Sequence, residues 1–286
     1  MNRLLIAEFV RLCKSFVFKL GFFFSAGLGI FIVIMRWIDV KKHPKAYAQL
    51  GAEYSSADGL IFVGGIYVVF VVAVVIGIFI GTEYGDGTIR NKLVVGHKRK
   101  SIYASKLVVC GAASLLMHGS YIGASLAAGS LLLEGTTMEG KEILLFIAAG
   151  SAAMLAMTAI LLLISMSMQS KAAGSVVCLL VTMVMLFASL TIWQRLQAPK
   201  YSDGYSYMDE ITGEIITGEK VENPKYLTGV KRDVYEFLNN FLPISQLYQV
   251  VMGESGNVGT MTLYDCLIIF VTMGGGILMF QKKDLK

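Results

Sequence analysis

Between Gly81 and Lys106 the sequence reads GTEYGDGTIRNKLVVGHKRKSIYASK, gathering eight Lys, Arg, Asp and Glu residues, a histidine and four glycines. More than twenty uncharged residues flank it on each side. Such a stretch suits three kinds of chemistry. A basic cluster attracts phosphates, a charged turn is solvated, and apolar residues at helical spacing among charges form a docking face. Elsewhere, residues able to do chemistry are sparse. There is no G-x-x-x-x-G-K-[ST] to cradle a nucleotide, no H-E-x-x-H and no G-x-S-x-G; Gly253-Glu-Ser-Gly-Asn departs from the last at its final position. The four cysteines, Cys13, Cys110, Cys178 and Cys266, form no C-x-x-C pair, so neither zinc nor a disulfide framework is supported. Paired carboxylates or a Ser/His pair at membrane depth are missing too, and with them an enzyme acting alone.

The remaining candidates are isolated. His118 falls in the middle of an uncharged run, close in sequence to Ser114, Ser120, Tyr121 and Ser125, and Asp265 lies near the outer end of the last run. His118, Tyr121 and Asp265 are the residues expected on a substrate path. A histidine at such depth also serves by bonding a neighbouring helix. One histidine and one peripheral aspartate fall short of the buried charges an ion-coupled carrier needs. His43, His97 and His118 fall outside, inside and mid-membrane, so they form no shared metal site.

The elements that must position these residues follow from composition. The 286 residues are 55% hydrophobic and only 16% charged, with a mean hydropathy of +0.65. A soluble domain carries about 25% charged residues. Charge-free runs cover 20–35, 59–82, 107–133, 143–170, 172–194 and 266–281. A helix needs roughly 20 residues to cross a hydrocarbon core. The runs lack the alternation of barrel strands. The expectation is an all-α polytopic membrane protein with six spans, at about 19–38, 60–82, 106–133, 143–168, 172–194 and 260–281. The first run continues to Met35 with no small-residue cleavage site, so it reads as a retained span.

Orientation follows from the basic residues of the short loops. With the N-terminus inside, the inner segments hold 14 basic against four acidic residues, whereas the outer ones hold 11 against 16. Both termini then face the cytoplasm. The net charge of +5 reflects topology, which argues against a nucleic-acid partner.

Residues 1–18 form a separate amphipathic interfacial helix, ahead of a permease domain over 19–286. On its helical wheel Arg3, Glu8, Arg11, Lys14 and Ser15 share one side, facing the headgroups, and Leu4 is the one misfit among the apolar residues opposite. The external segment 195–259 begins with a polar, tyrosine-rich half in which Ile-Thr-Gly-Glu-Ile-Ile-Thr-Gly-Glu reads as short strands or a hairpin. Its second half predicts two short amphipathic helices, broken at Pro243, lying against the outer leaflet or dipping into it.

The polar loop itself has helical spacing. Glu83 to Val95 predicts a short helix, with Tyr84, Thr88 and Val95 along one face and Ile89, Arg90 and Leu93 around it. Gly96 stops it, His97-Lys-Arg-Lys makes a basic turn, and Ser101 is positioned to cap the third span. A helix of this kind, lying across the inner ends of two spans, is the shape of a docking surface.

The pattern Glu83-x-x-x-Gly87-Thr88, then Leu93-Val94, then Arg99 and Lys106-Leu107, resembles the permeases of the type-2 ABC exporter family. Gly96 and Lys98 depart from the proline and serine usual there. The ending Phe280-Gln-Lys-Lys-Asp284-Leu285 is similar to the family's as well. The resemblance implies a coupling helix that rests on a separate ATPase subunit, with Glu83, Gly87, Thr88, Arg90, Lys92, Leu93, Arg99 and Lys106 as the coupling residues. Glu83 would anchor the loop, Gly87-Thr88 shape it, and Arg90, Lys92 and Arg99 meet acidic or polar groups of the ATPase. The chain would carry no cofactor; ATP and Mg would sit on the partner, in two copies, around a pair of permeases identical or different. The implied setting is the lipid bilayer of a bacterial plasma membrane. The implied cargo is a hydrophobic or amphipathic peptide, of the lantibiotic self-protection kind. The alternative is a non-transporting sensor or scaffold that recruits a cytoplasmic protein through the same loop.

Overall fold

A computed structural model describes residues 2–50, 56–133, 135–168, 170–202, 206–208, 215–217, 220–254 and 257–283. The chain opens with α1 (Asn2–Lys14). Ser15 then takes an extended conformation and its hydroxyl accepts from Phe18 N at 3.4 Å, which starts α2 (Phe16–Lys42). The break between interfacial helix and first span therefore falls at Ser15, three residues before the expected boundary. A short α3 (Pro44–Leu50) follows.

Then come α4 (Asp58–Gly85), α5 (Thr88–Val94), α6 (Arg99–Leu132), α7 (Gly140–Ser167) and α8 (Lys171–Leu196). After four short strands, α9 (Val230–Phe241), α10 (Pro243–Val251) and α11 (Val258–Lys282) complete the described chain. Among the described residues six helices are long and apolar enough to cross a membrane: α2, α4, α6, α7, α8 and α11. Each satisfies its backbone internally, as a bilayer requires.

The core forms around α4, whose Val68, Val69, Val72, Ala73 and Ile76 are buried on all sides. It packs against α8, α7, α6 and α2, while α11 lies against α7 and α6. The outer helices instead present Phe16, Phe23, Phe31, Val184, Phe187 and Phe270 outward, the surface that lipid covers. Small residues let helices approach. Gly64 leaves room for the ring of Tyr121, and a Cβ on Gly77 would lie 2.5 Å from the Cα of Ser175 in α8. Gly77 and Gly81 stand at G-x-x-x-G spacing, as do Gly119 and Gly123, but the latter two meet nothing within 4 Å.

At the end opposite the termini, β1 (Tyr201–Ser202) pairs with β4 (Val221–Glu222), and β2 (Ser206–Met208) with β3 (Ile215–Thr217), both antiparallel. The Ile215-Ile216-Thr217 of the expected hairpin is thus a strand. The first Ile-Thr-Gly lies outside the described residues, as do Asp284 and Leu285 of the C-terminal motif.

The two external helices differ from one another. α9 keeps Val230, Val234 and Phe237 exposed. α10 does not lie on a leaflet. Its Ile244, Ser245, Gln246, Leu247, Gln249 and Val250 are all buried, and it packs among α4, α7 and α8. Leu247 reaches Gly65 and Gly150, where those glycines leave space. At 1.5 Å per residue, these positions lie about 10 to 15 Å from the ends of their helices. α10 is a re-entrant wedge.

Candidate functional site

The polar loop joins α4 to α6 at the end of the bundle that carries both chain ends. The break after Gly85 needs a left-handed residue, and Gly87 supplies it at φ +66°. The Thr88 hydroxyl donates to the Glu83 carbonyl at 3.2 Å, and Ile89 plugs into the bundle, tying the loop down. α5 ends at Gly96, φ +96°. Glu83 and Tyr84, expected within this helix, belong to the last turn of α4. Ser101 does not cap α6: the N-cap position falls on Lys98, with no side-chain bond, and Ser101 sits in the first turn.

Beneath α5 lies a buried ionic cluster drawn from four helices. Glu83 is fully buried, and its Oε1 receives Arg11 of α1, Lys92 of α5 at 2.8 Å and Lys106 of α6. Glu8 of α1 is also buried and receives Lys92 and Lys106, with Arg11 Nε at 3.8 Å. Arg11 further donates to the Phe79 carbonyl at 3.3 Å and lies 3.9 Å over the Phe79 ring. Two carboxylates thus hold three cations. Burial alone would raise the Glu8 carboxyl, but the Lys106 and Lys92 ammoniums outweigh it and hold it down to about 2. Burial works against the charge on Lys92 too, yet Glu83 and Glu8 keep its ammonium above the ordinary lysine value.

A second set of bonds ties the loop to the chain's far end. The Arg99 guanidinium donates to the carbonyls of Phe280 at 2.7 Å, Gln281 at 3.2 Å and Lys283 at 2.5 Å, satisfying the open end of α11. Lys283 in turn donates to Met166 and Ser167 carbonyls, both at 2.8 Å, at the end of α7. The Tyr84 hydroxyl reaches the same Met166 carbonyl at 2.9 Å.

The expected coupling residues therefore divide. Glu83, Lys92, Arg99 and Lys106 turn into the chain, where each has charged or carbonyl partners. Lys92 and Arg99, expected to meet the ATPase, have their charges engaged within the chain. Gly87 and Thr88 shape the turn, and Leu93 is half-buried. What faces outward is Arg90, Asn91, Val94, Val95, Lys98 and Lys100, with Val94 85% and Val95 77% exposed. Glu8 and Arg11 were missed. Two signals pointed to Glu8: it is the only acid in the first 38 residues, and it falls four residues from both Leu4 and Leu12. Leu4, Glu8 and Leu12 form the buried stripe of α1, while Ile6 and Val10 are exposed. Leu4 is no misfit; the helix is docked by the face that carries its acid.

The three residues expected on a substrate path sit at different places in the core. The Tyr121 hydroxyl donates to the Leu60 carbonyl at 2.8 Å, so its side chain is committed to helix packing. His118 is buried between Gly65, Gly150 and Leu247, and its Nδ1 has no partner among the described residues. Asp265 is 1% exposed, and neither carboxylate oxygen has a hydrogen-bond partner there. It did not reach the interface. No group of three His, Cys, Asp or Glu is placed to hold a metal ion among the described residues.

Six spans, a short amphipathic helix docked at the end that carries both chain ends and a short helix hung between the second and third define a polytopic membrane protein. The chain belongs to the ABC-2 family transporter proteins, whose family model matches residues 4–192. The match includes α1, the loop and the ionic cluster, and makes the chain a membrane component of an ATP-binding-cassette transport system. Comparison with curated proteins found no match.

Proposed function

We propose that this chain is the permease subunit of an exporter driven by a separate ATPase, and that α5 is the surface on which that ATPase acts. The observation that carries this reading is the exposed Val94-Val95 pair, ringed by Arg90, Asn91 and Lys98 at the aqueous end of the spans. Two bare valines in water are explained by a partner that covers them. The buried side of the same helix is ionically joined to α1, α4 and α6, so a push on the valines moves three helices rather than a loop. The end carrying α5 and both termini is then cytoplasmic, in a bacterial plasma membrane. Two permeases, identical or different, pair with two ATPases, and the cargo is a hydrophobic or amphipathic peptide of the lantibiotic kind.

The test is gentle extraction of the tagged chain from its native membrane. A P-loop ATPase should co-purify in stoichiometric amount and be lost when Val94 and Val95 are both replaced by aspartate, with the thermal midpoint of the permease unchanged. A second permease in the same preparation would settle the pairing. Absence of an ATPase from an intact complex would overturn the reading, and a nucleotide-independent partner on the same valines would establish the sensor instead. The cargo is tested separately, by peptide-stimulated ATP hydrolysis and gain of peptide tolerance.

A further inference from the structure

At the end opposite the termini, a cavity of about 340 Å³ opens between the last turn of α8, α9, α10 and the turn before α11. Trp193 forms one wall, braced edge-on by Tyr248 at 5.1 Å between ring centres. The rest is almost wholly amide and carboxylate: Gln197, Asn239, Asn240, Gln249 and Glu254, with Arg232 and Glu236 at the rim. Asn239 and Gln249 are more than nine-tenths buried.

The hydrogen-bond inventory of this wall is lopsided. Three of its donors are engaged within the chain. Gln249 Nε2 donates to the Asn239 carbonyl at 2.8 Å, Gln197 Nε2 to Glu254 at 3.4 Å, and Arg232 Nε to Glu236 at 2.8 Å. Its acceptors are not: Asn239 Oδ1 and Asn240 Oδ1 are buried without a partner. Arg232 is neutralised by Glu236, which leaves Glu254 as the unmatched charge, with one long bond. An orphaned buried acceptor is costly, so the missing partner is a donor. Negative charge beside an indole face makes that donor a cation.

We propose that this cavity is a binding site for a primary ammonium group presented from the side opposite the termini. Glu254 supplies the counter-charge, the Asn239 and Asn240 carbonyls accept the ammonium hydrogens, and Trp193 packs against its methylenes. A lysine-like side chain and an ethanolamine headgroup share this chemistry. The site is separate from α5, and binding needs neither ATP nor an ATPase, so it stands or falls apart from the exporter reading.

The chain has two tryptophans, Trp37 and Trp193, so W37F leaves Trp193 as the sole reporter. In nanodiscs of phosphatidylcholine alone, the acetyl-lysine methylamide probe should change its fluorescence saturably. The ε-acetylated probe should not. E254Q should weaken binding about tenfold or more, as loss of a charged hydrogen bond does. E236Q, which frees Arg232 to repel the ammonium, should weaken it as well while leaving Glu254 in place. Adding phosphatidylethanolamine then separates the sources: competition with the probe assigns the site to the headgroup, and no competition assigns it to a soluble amine. An equal response to the acetylated probe, unchanged affinity in E254Q, or no saturable response with either lipid overturns the proposal.

Discussion

Glu83 and Asp265 are both carboxylates buried inside spans, at opposite ends of the bundle, and their surroundings differ in kind. Glu83 meets Arg11, Lys92 and Lys106 at one oxygen, each from a different helix. Asp265 has no hydrogen-bond partner at either oxygen among the described residues, although the Gln246 side chain approaches it. The first arrangement costs desolvation and recovers it through attraction, so it holds helices in one geometry. The second recovers little. The contrast separates an end built to transmit force from one whose polar groups await something: a movement of the re-entrant α10, or a ligand.

The largest expected effect tests that contrast directly. E83Q leaves three cations facing Glu8 alone, and removing one partner from a buried ionic group costs about 3–5 kcal/mol. The thermal midpoint of the reconstituted protein should fall sharply. D265N removes a charge that nothing compensates, so the midpoint should stay or rise. Equal losses in the two variants would mean that Asp265 is paired in the membrane, and the two ends would no longer be opposites.

Acidity gives the next effect. The Glu8 carboxyl is held at about 2 against an ordinary 4.5. Because its folded value is the lower one, its contribution is full above pH 4.5 and fades as pH falls toward 2. Lys92 is shifted upward, so its share is present below the ordinary lysine value and is lost as pH rises past it. A thermal midpoint falling as pH drops below 4.5 is expected, with a shift worth up to about 3 kcal/mol. E8Q should flatten the acid limb. An unchanged limb in that variant would place the sensitivity elsewhere.

Hydropathy made the spans legible, because a bilayer leaves the sequence few alternatives, and the loop was legible from its glycines and its charge. The cluster beneath it was only half legible. Glu83, Lys92 and Lys106 stand together in sequence. Glu8 and Arg11 come from a helix whose charged side looks, on a wheel, as if it faces headgroups. No periodicity distinguishes a charge meant for solvent from one meant for a buried partner. Arg99 illustrates the same ambiguity, since its partners are backbone carbonyls nearly two hundred residues away. For α10 the sequence left two placements open, on the leaflet or dipping into it, and its serine and glutamines take the second by bonding Ser189, Asn239 and Asn240 inside.

The smallest effects separate two G-x-x-x-G motifs, Gly77 with Gly81 in the transmitting half and Gly119 with Gly123 nearer the opposite end. A Cβ on Gly77 would press on the Ser175 backbone, and one on Gly81 on Lys171, so α4 and α8 would have to part. G77A should lower the thermal midpoint by an amount worth about 1–3 kcal/mol. G119A and G123A point to open space. There a helical alanine gains about 1 kcal/mol over glycine, so these variants should be neutral or slightly stabilising. That holds for the isolated chain. If a second permease seats on α6, the same substitutions would weaken the pairing while leaving the single chain intact. Midpoints measured beside the mass of the purified complex distinguish the two outcomes: a loss of mass with no loss of midpoint would assign the open glycines to a partner helix, and no change in either would leave them facing lipid.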